Sequence, residues 1–227
     1  MRVFILGDSP AMYYTERDAP QAGWGQYLQS HFLPGAEVIN HAIGGRSTKS
    51  FISEGRLLLV EEALAPGDWA LIQFGHNDNV STLVWRRTHP ETSFYNNLLL
   101  MACAVTRRGA HPVLVTPICQ RVFAQDGTIE DTFPRYARAI RELAKAESFP
   151  LLDMRERTME LLNTMKAEES AKLYMHLPPG IWPSWPDGLQ DNTHTRAEGA
   201  EIYAALLAQC VRDSGLPLAG WLKEERA

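Results

Sequence analysis

Short apolar runs alternate along the chain with longer amphipathic segments, a pattern that predicts strands alternating with helices. Residues 3–6 are wholly apolar and are followed by Gly7-Asp8-Ser9-Pro10. Such a run, stopped by turn residues, is typical of a strand that is buried on both faces of a parallel sheet. Four further segments are strand candidates: residues 37–40, 69–74, 111–117 and 150–153.

Between the strand candidates, apolar residues recur at helical spacing. A short helical stretch is predicted to begin at Gly23, and longer helices are predicted at residues 93–108, 130–147 and 154–174. A last helix is predicted to begin just after His194, because Thr195 and Glu198 form a capping-box pattern. Strands alternating with helices indicate βαβ units and a parallel sheet between two helical layers. With 227 residues, we expect residues 1–227 to form a single α/β domain.

Composition argues against several classes of function. The chain has 22 basic and 27 acidic residues and a formal net charge of −5, and no basic run is interleaved with aromatic residues. We therefore expect no nucleic-acid partner. No apolar run approaches the roughly 18 residues of a membrane-spanning helix, so no membrane association is expected.

The amino terminus and the cysteines predict the compartment. The first strand candidate follows Met1-Arg2 directly, which leaves no room for a cleavable signal peptide. Cys103, Cys119 and Cys210 lie far apart and are expected to be reduced thiols. We therefore expect a cytoplasmic protein. The seven histidines form no ligand cluster with the cysteines, so no metal or cofactor is expected, and the oligomeric state stays open.

Ser9 lies at the carboxyl end of the first strand candidate, where open α/β sheets bind their ligands. A structural role would also explain it, since Ser9 could cap a helix that has Pro10 at its first position. Late in the chain, Asp191 precedes His194 by three residues. The carboxylate could accept a hydrogen bond from one ring nitrogen and leave the other free to take a proton from a serine hydroxyl. Ser9, His194 and Asp191 are therefore the candidate catalytic residues.

Candidate oxyanion-hole donors follow two other strand candidates. Gly44-Gly45 follows the second and Asn77 the third, although each could serve only as a turn. If the three loops meet at one sheet edge, the N–H groups of Ser9 and Gly45 and the Asn77 amide could stabilise an oxyanion. Pro10 has no N–H, which disfavours the α/β-hydrolase elbow, where the residue after the nucleophile donates one.

Four segments resemble, in chain order, the motifs of the GDSL (SGNH) hydrolases: Gly7-Asp8-Ser9, Asn40-x-Ala42-x-x-Gly45-Arg46-Ser47, Gly75-His76-Asn77-Asp78 and Asp191-x-x-His194. The Gly-Arg-Ser and Asp-x-Thr-His segments are most similar to those of the rhamnogalacturonan acetylesterases. The resemblance implies a flavodoxin-like three-layer sandwich with a five-stranded parallel sheet in the order 2-1-3-4-5. It also implies that Ser9 is the nucleophile, that His194 and Asp191 are its base and orienting acid, and that no metal is needed.

The resemblance further implies a substrate of acetylated pectic sugar, and the expected cytoplasmic location favours short oligosaccharides. Trp182 and Trp185 lie in a proline-rich segment, and their flat faces are candidates for binding a sugar ring, although simple loop packing would equally explain them. Two other functions stay open. One is a lipid or aryl esterase on the same scaffold. The other is a non-catalytic flavodoxin-like module that binds phosphate at Gly44-Gly45.

Overall fold

Five strands form a single, wholly parallel sheet in the computed structural model, which describes residues 1–79 and 82–224. The strand order is β2-β1-β3-β4-β5, so the predicted fold class and strand order are confirmed. The strands are β1 (Arg2–Gly7), β2 (Glu37–Asn40), β3 (Trp69–Gln73), β4 (His111–Val115) and β5 (Leu151–Leu152).

Helices cover both faces of the sheet, because alternate residues of each strand point to opposite sides. Val3 and Ile5 of β1 pack in one apolar cluster, which includes residues of α5 and α6. Phe4 and Leu6 pack in a second cluster with residues of α1 to α4. The helices are α1 (Thr48–Ser53), α2 (Arg56–Ala63), α3 (Tyr95–Arg107), α4 (Pro134–Glu147), α5 (Met154–Ser170) and α6 (Ala197–Asp213).

Two strands outside the main sheet were not predicted. β6 (Tyr174–Leu177) and β7 (Leu189–Thr195) form an antiparallel hairpin. The helix predicted for residues 154–174 is therefore too long, since α5 ends at Ser170 and is interrupted at Lys166, whose φ is 62°. The predicted start of the last helix is also wrong. The Thr195 hydroxyl donates to the Ala22 carbonyl instead of capping α6, so β7 continues past His194.

Other helix boundaries differ by a few residues. The helix predicted from residue 130 begins at Pro134, whose fixed φ suits a first helical turn. The helix predicted from residue 93 is preceded by a π-helical turn, Pro90–Phe94. The stretch after Gly23 consists of two 3₁₀ turns, Trp24–Gln26 and Leu28–His31. Among residues 1–79 and 82–224, no helix is both long enough and apolar enough to cross a membrane.

The register of the sheet brings three loops to one edge. Gly7, the last residue of β1, pairs with Gln73, the last residue of β3. Ile5 pairs with Asn40 at the end of β2. Because all these strands are parallel, the segments that follow β1, β2 and β3 leave the sheet side by side at its carboxyl edge.

Candidate active site

Ser9 lies just beyond β1 and its hydroxyl contacts the histidine predicted from the other end of the chain. Ser9 Oγ is 2.9 Å from His194 Nε2, across 185 residues of sequence. The residue begins a one-turn 3₁₀ helix, Ser9–Ala11, whose cap position is Asp8. The structure therefore does not use Ser9 as a helix cap. Ser9 is 7% exposed.

Asp191 orients the imidazole of His194. Its Oδ2 is 2.7 Å from His194 Nδ1, while its Oδ1 accepts the main-chain N–H groups of Thr193 at 2.7 Å and His194 at 3.1 Å. An ionised carboxylate only accepts hydrogen bonds, so a neutral His194 carries its proton on Nδ1. Nε2 is then the acceptor for the Ser9 hydroxyl. This is the tautomer that a general base needs.

The environment of Asp191 keeps its carboxylate ionised. Partial burial by itself raises the pKa of Asp191. The hydrogen bond from His194, the charge of His194 and two main-chain N–H groups together outweigh burial and lower the pKa below its usual value. The carboxylate of Asp191 is therefore stabilised in its ionised form.

Gly45 and Asn77 follow β2 and β3 at the same carboxyl edge of the sheet as Ser9, which follows β1. Gly45 has a φ of +76°, a conformation that glycine adopts without strain. Its neighbour Gly44 lies against Ser9, because a Cβ on Gly44 would be 3.7 Å from the Ser9 Cβ. Asn77 is 8% exposed, and its Nδ2 is buried without a hydrogen-bond partner. An amide donor is thus left available at this edge.

Arg86 links these two residues and was not predicted. Its Nη1 donates to the Gly45 carbonyl at 3.1 Å and to Asn77 Oδ1 at 2.9 Å. The sequence carries no signal for this contact, because Arg86 lies outside the recognised motifs and 41 residues from Gly45.

A buried polar chain behind Ser9 joins the ends of β1 and β3. Asp8 is fully buried; its Oδ1 accepts Gln73 Nε2 at 2.8 Å, and its Oδ2 is 3.1 Å from His76 Nδ1. His76 Nε2 is 3.1 Å from the Ile118 carbonyl. The ring of His76 therefore lies between the Asp8 carboxylate and the Ile118 carbonyl and pairs with Asp8. The pair ties the nucleophile loop to the Asn77 loop.

Asp78 anchors the Asn77 loop from its other side. Its carboxylate accepts the Thr48 hydroxyl at 2.6 Å, the Thr48 N–H at 3.1 Å and the Thr88 hydroxyl at 2.9 Å. Complete burial raises the pKa of Asp78 to about 7, against the opposing effect of these hydrogen bonds. His76 and Asp78, which flank Asn77 in the sequence, thus hold the Asn77 loop on both sides.

Trp182 and Trp185 lie in the loop that joins β6 to β7. Their main chains form an isolated bridge, both residues are partly exposed, and Trp185 Nε1 is buried without a partner. The strand register places this loop at the Leu189 end of β7, about 16 Å along the strand from His194 at 3.3 Å per residue. The loop contacts the segment around Arg17, because the Ser184 hydroxyl donates to the Arg17 carbonyl. Their role in substrate binding stays a prediction.

The described part of the chain contains no group of three or more His, Cys, Asp or Glu side chains placed to hold a metal ion. The polar groups that do converge are a serine hydroxyl, an imidazole, a carboxylate and an amide donor. Acyl transfer needs a nucleophile, a base, an orienting acid and an oxyanion donor, and these four groups have the chemistry that each part requires.

Comparison with known proteins identifies relatives along almost the whole chain. The model of the GDSL-like lipase/acylhydrolase family matches residues 5–202. The chain is 41% identical to rhamnogalacturonan acetylesterase RhgT of Bacillus subtilis over 218 residues, which cover 96% of this chain and 92% of RhgT. It is 35% identical to the probable rhamnogalacturonan acetylesterase YesY of the same organism, covering 99% and 98% of the two chains.

A solved structure shows the same fold. The crystal structure of YxiM from Bacillus subtilis superposes with a TM-score of 0.79 at 26% sequence identity, over 95% of this chain and 57% of YxiM. Sequence and structure comparisons therefore agree on one family of ester hydrolases.

Proposed function

The chain belongs to the GDSL-like lipase/acylhydrolase family, and from this premise we propose that it removes acetyl groups from carbohydrate with Ser9, His194 and Asp191 as its catalytic triad. The observation that carries the proposal is the unbroken hydrogen-bond chain from Ser9 Oγ through His194 to Asp191, with distances of 2.9 and 2.7 Å. At the same sheet edge, just beyond β3, Asn77 carries a buried amide donor without a partner.

In the first half of the proposed reaction, Ser9 Oγ attacks the acetyl carbonyl while its proton passes to His194 Nε2. Asp191 stabilises the imidazolium that forms and keeps the ring in place. The carbonyl oxygen becomes an oxyanion, which the Asn77 amide and the N–H groups of Ser9 and Gly45 stabilise. As the tetrahedral intermediate collapses, His194 returns the proton to the sugar oxygen, and an acetyl-serine remains.

In the second half, water attacks the acetyl-serine and gives one proton to His194 Nε2. A second tetrahedral intermediate forms in the same oxyanion hole. When it collapses, acetate leaves and Ser9 recovers its proton from His194. The enzyme is thus restored with no group other than its own side chains and water.

We propose that the substrate is a short acetylated oligosaccharide derived from rhamnogalacturonan. Two relatives of high coverage, RhgT and YesY, are named for rhamnogalacturonan acetylester hydrolysis. A cleft of about 220 Å³ borders the segment that bonds to β7, and side chains suited to sugar binding line it, among them Tyr13, Gln21 and Tyr27. Tyrosine faces and amide groups match the apolar and hydroxyl surfaces of a sugar. The loop of Trp182 and Trp185 is anchored at Arg17, next to the cleft residue Glu16.

The experiment compares acetate release from acetylated rhamnogalacturonan oligosaccharides and acetylated xylo-oligosaccharides with hydrolysis of p-nitrophenyl esters of increasing chain length. The highest kcat/KM is expected for the rhamnogalacturonan fragments, and Ser9→Ala serves as the background control. Preference for long acyl chains, with no acetate released from any saccharide, would assign the protein to lipid esters instead. If the folded parent hydrolyses no ester but phosphate or flavin raises its Tm, the protein is a binding module.

The same substrates test the tryptophans. In Trp182→Ala, kcat/KM for the saccharide should fall while turnover of p-nitrophenyl acetate is spared, because only the saccharide needs the ring. Trp221→Ala is the matched control, since Trp221 is 39% exposed and bonds through its main chain to Leu33. Equal saccharide turnover by the Trp182 variant and the parent would leave this tryptophan a loop-packing residue.

A further inference from the structure

The amide of Asn77 has one orientation because of the group that contacts it. A guanidinium carries five N–H donors and no acceptor, so the Asn77 atom 2.9 Å from Arg86 Nη1 is the amide oxygen. The other end of the amide, Nδ2, is therefore directed away from Arg86. It is buried without a partner at the edge where the acyl oxygen of a substrate would lie.

The same nitrogen also fixes the turn that carries Gly45. Arg86 Nη1 donates its two hydrogens to two acceptors, Asn77 Oδ1 and the Gly45 carbonyl at 3.1 Å. A single planar group thereby sets the spacing between two proposed members of the oxyanion hole. Hydrogen bonds from a charged donor are about twice as strong as neutral ones, so the bond also polarises the Asn77 amide.

The segment that carries Arg86 is itself anchored on both sides. Lys49 Nζ donates to the Val84 carbonyl at 3.0 Å. After Arg86, the Thr88 N–H donates to the Asp78 carbonyl at 3.1 Å, and the Tyr136 hydroxyl lies within 3.0 Å of the Asp78 and Thr88 carbonyls. The guanidinium also stacks 5.5 Å from the ring of Trp85. The main chain around Arg86 is therefore held in place, and its guanidinium reaches the site from a fixed position.

We propose that Arg86 is a positioning residue of this esterase, which orients the Asn77 amide and the Gly45 turn toward the oxyanion of the transition state. The proposal rests on the proposed acyl transfer at Ser9, but not on the identity of the sugar. It assigns to Arg86 no contact with the substrate. Its effect should therefore appear in kcat for every acetyl ester, and should depend on the presence of Asn77.

The test uses p-nitrophenyl acetate, so that its result does not depend on which saccharide is the substrate. Arg86→Met keeps a side chain of similar length without donors, and should lower kcat about 10- to 100-fold with little change in KM, less than the loss of an oxyanion donor itself. Arg86→Lys, which keeps the charge and donors, should recover a large part of the loss. Arg107→Met is the matched control, since Arg107 pairs with Glu61 on the surface and should leave kcat unchanged.

A double-mutant cycle separates positioning from general support of the fold. In an Asn77→Ala background, Arg86→Met should cost no more than about threefold, because the amide that it orients is already gone. An equal loss in both backgrounds would overturn the proposal and leave Arg86 a stabilising residue of its loop. A rise in KM for the saccharide, with kcat for p-nitrophenyl acetate unchanged, would overturn it in favour of substrate binding. If Ser9→Ala is as active as the parent, the proposed acyl transfer fails instead.

Discussion

The proposed active site has an acid–base half and an oxyanion half, and the two are held together in different ways. The acid–base half is local: Asp191 and His194 lie three residues apart on one strand, and the carboxylate also accepts main-chain N–H groups of its own turn. The oxyanion half is assembled from separate loops, with Asn77 and Gly45 joined through Arg86. The first half can be specified by a short motif. The second depends on how several loops pack.

The carboxylates of the two halves also respond to acid in opposite ways. The pKa of Asp191 is lowered, so the stability that its ionised form contributes is lost as the pH falls through that pKa. Burial raises the pKa of Asp78 to about 7, so its protonated form is the one that the fold favours. Ionisation of Asp191 therefore stabilises the acid–base half. Burial disfavours the ionised form of Asp78 in the oxyanion half.

Ser9 belongs to both halves, so its loss should have the largest effect. Ser9→Ala should reduce acetyl ester hydrolysis by about 10³-fold or more, because only binding and oxyanion stabilisation remain. The side chain is small, so Tm should change little. Acetate release and thermal unfolding are measured together, and comparable turnover by a well-folded variant would remove Ser9 from the mechanism.

Asp191→Asn changes only the acid–base half, at the contact between Asp191 and His194. The amide oxygen can still accept the N–H groups of Thr193 and His194, but the amide nitrogen then faces His194 Nδ1 and imposes the wrong tautomer. We expect a loss of about 10³-fold in kcat/KM at neutral pH. In the parent, kcat/KM should rise with pH through one ionisation, because His194 must be neutral to accept the serine proton. Full activity of the variant would show that another group orients the base.

Asn77→Ala breaks the oxyanion half alone. It should lower kcat by about 10²–10³-fold and leave KM nearly unchanged, since the amide is used only in the transition state. Steady-state kinetics on p-nitrophenyl acetate measure both constants. A raised KM at constant kcat would place Asn77 on the binding surface instead.

The smallest effect concerns stability. A folded state that keeps a proton on Asp78 loses stability as the pH rises from about 4 to about 7, the interval between the pKa of an ordinary aspartate and that of Asp78. Above that interval the loss is complete. Asp78→Asn should remove this component, so the Tm of the parent minus that of the variant should fall over this range. The exposed Asp187→Asn is the control, and a constant difference for the Asp78 variant would contradict the raised pKa.

The sequence predicted the parallel sheet well because each strand carries its own signal. Runs such as residues 3–6 are apolar on both faces and stop at turn residues, and the order of the strands followed from the family resemblance. The hairpin of β6 and β7 was missed because β7 contains Gln190, Asp191 and Asn192, which favour turns over strands. Bonds to separate parts of the chain hold it extended, among them its pairing with β6 and the bond from Thr195 to Ala22.

Gly45 and Asn77 were predicted from the sequence, but Arg86, which joins them, was not. Asp191 and His194 interact through a spacing of three residues, which can be read directly from the sequence. Arg86 reaches Gly45 because its neighbours Val84 and Thr88 are bonded to Lys49, Asp78 and Tyr136. No sequence pattern predicts these hydrogen bonds, because each one joins segments that are distant in the sequence and meet only when the chain folds.

The wide separation of Ser9 and His194 has a consequence for synthesis. Domains begin to fold from the amino terminus while the ribosome is still extending the chain. A nascent chain that has formed β1 to β5 already holds the proposed nucleophile, Gly45 and Asn77, but it lacks the proposed base, His194, which lies 185 residues beyond Ser9. Prematurely terminated chains that stop before β7 should therefore be inert toward esters. The enzyme gains its activity only in the last stage of its own production.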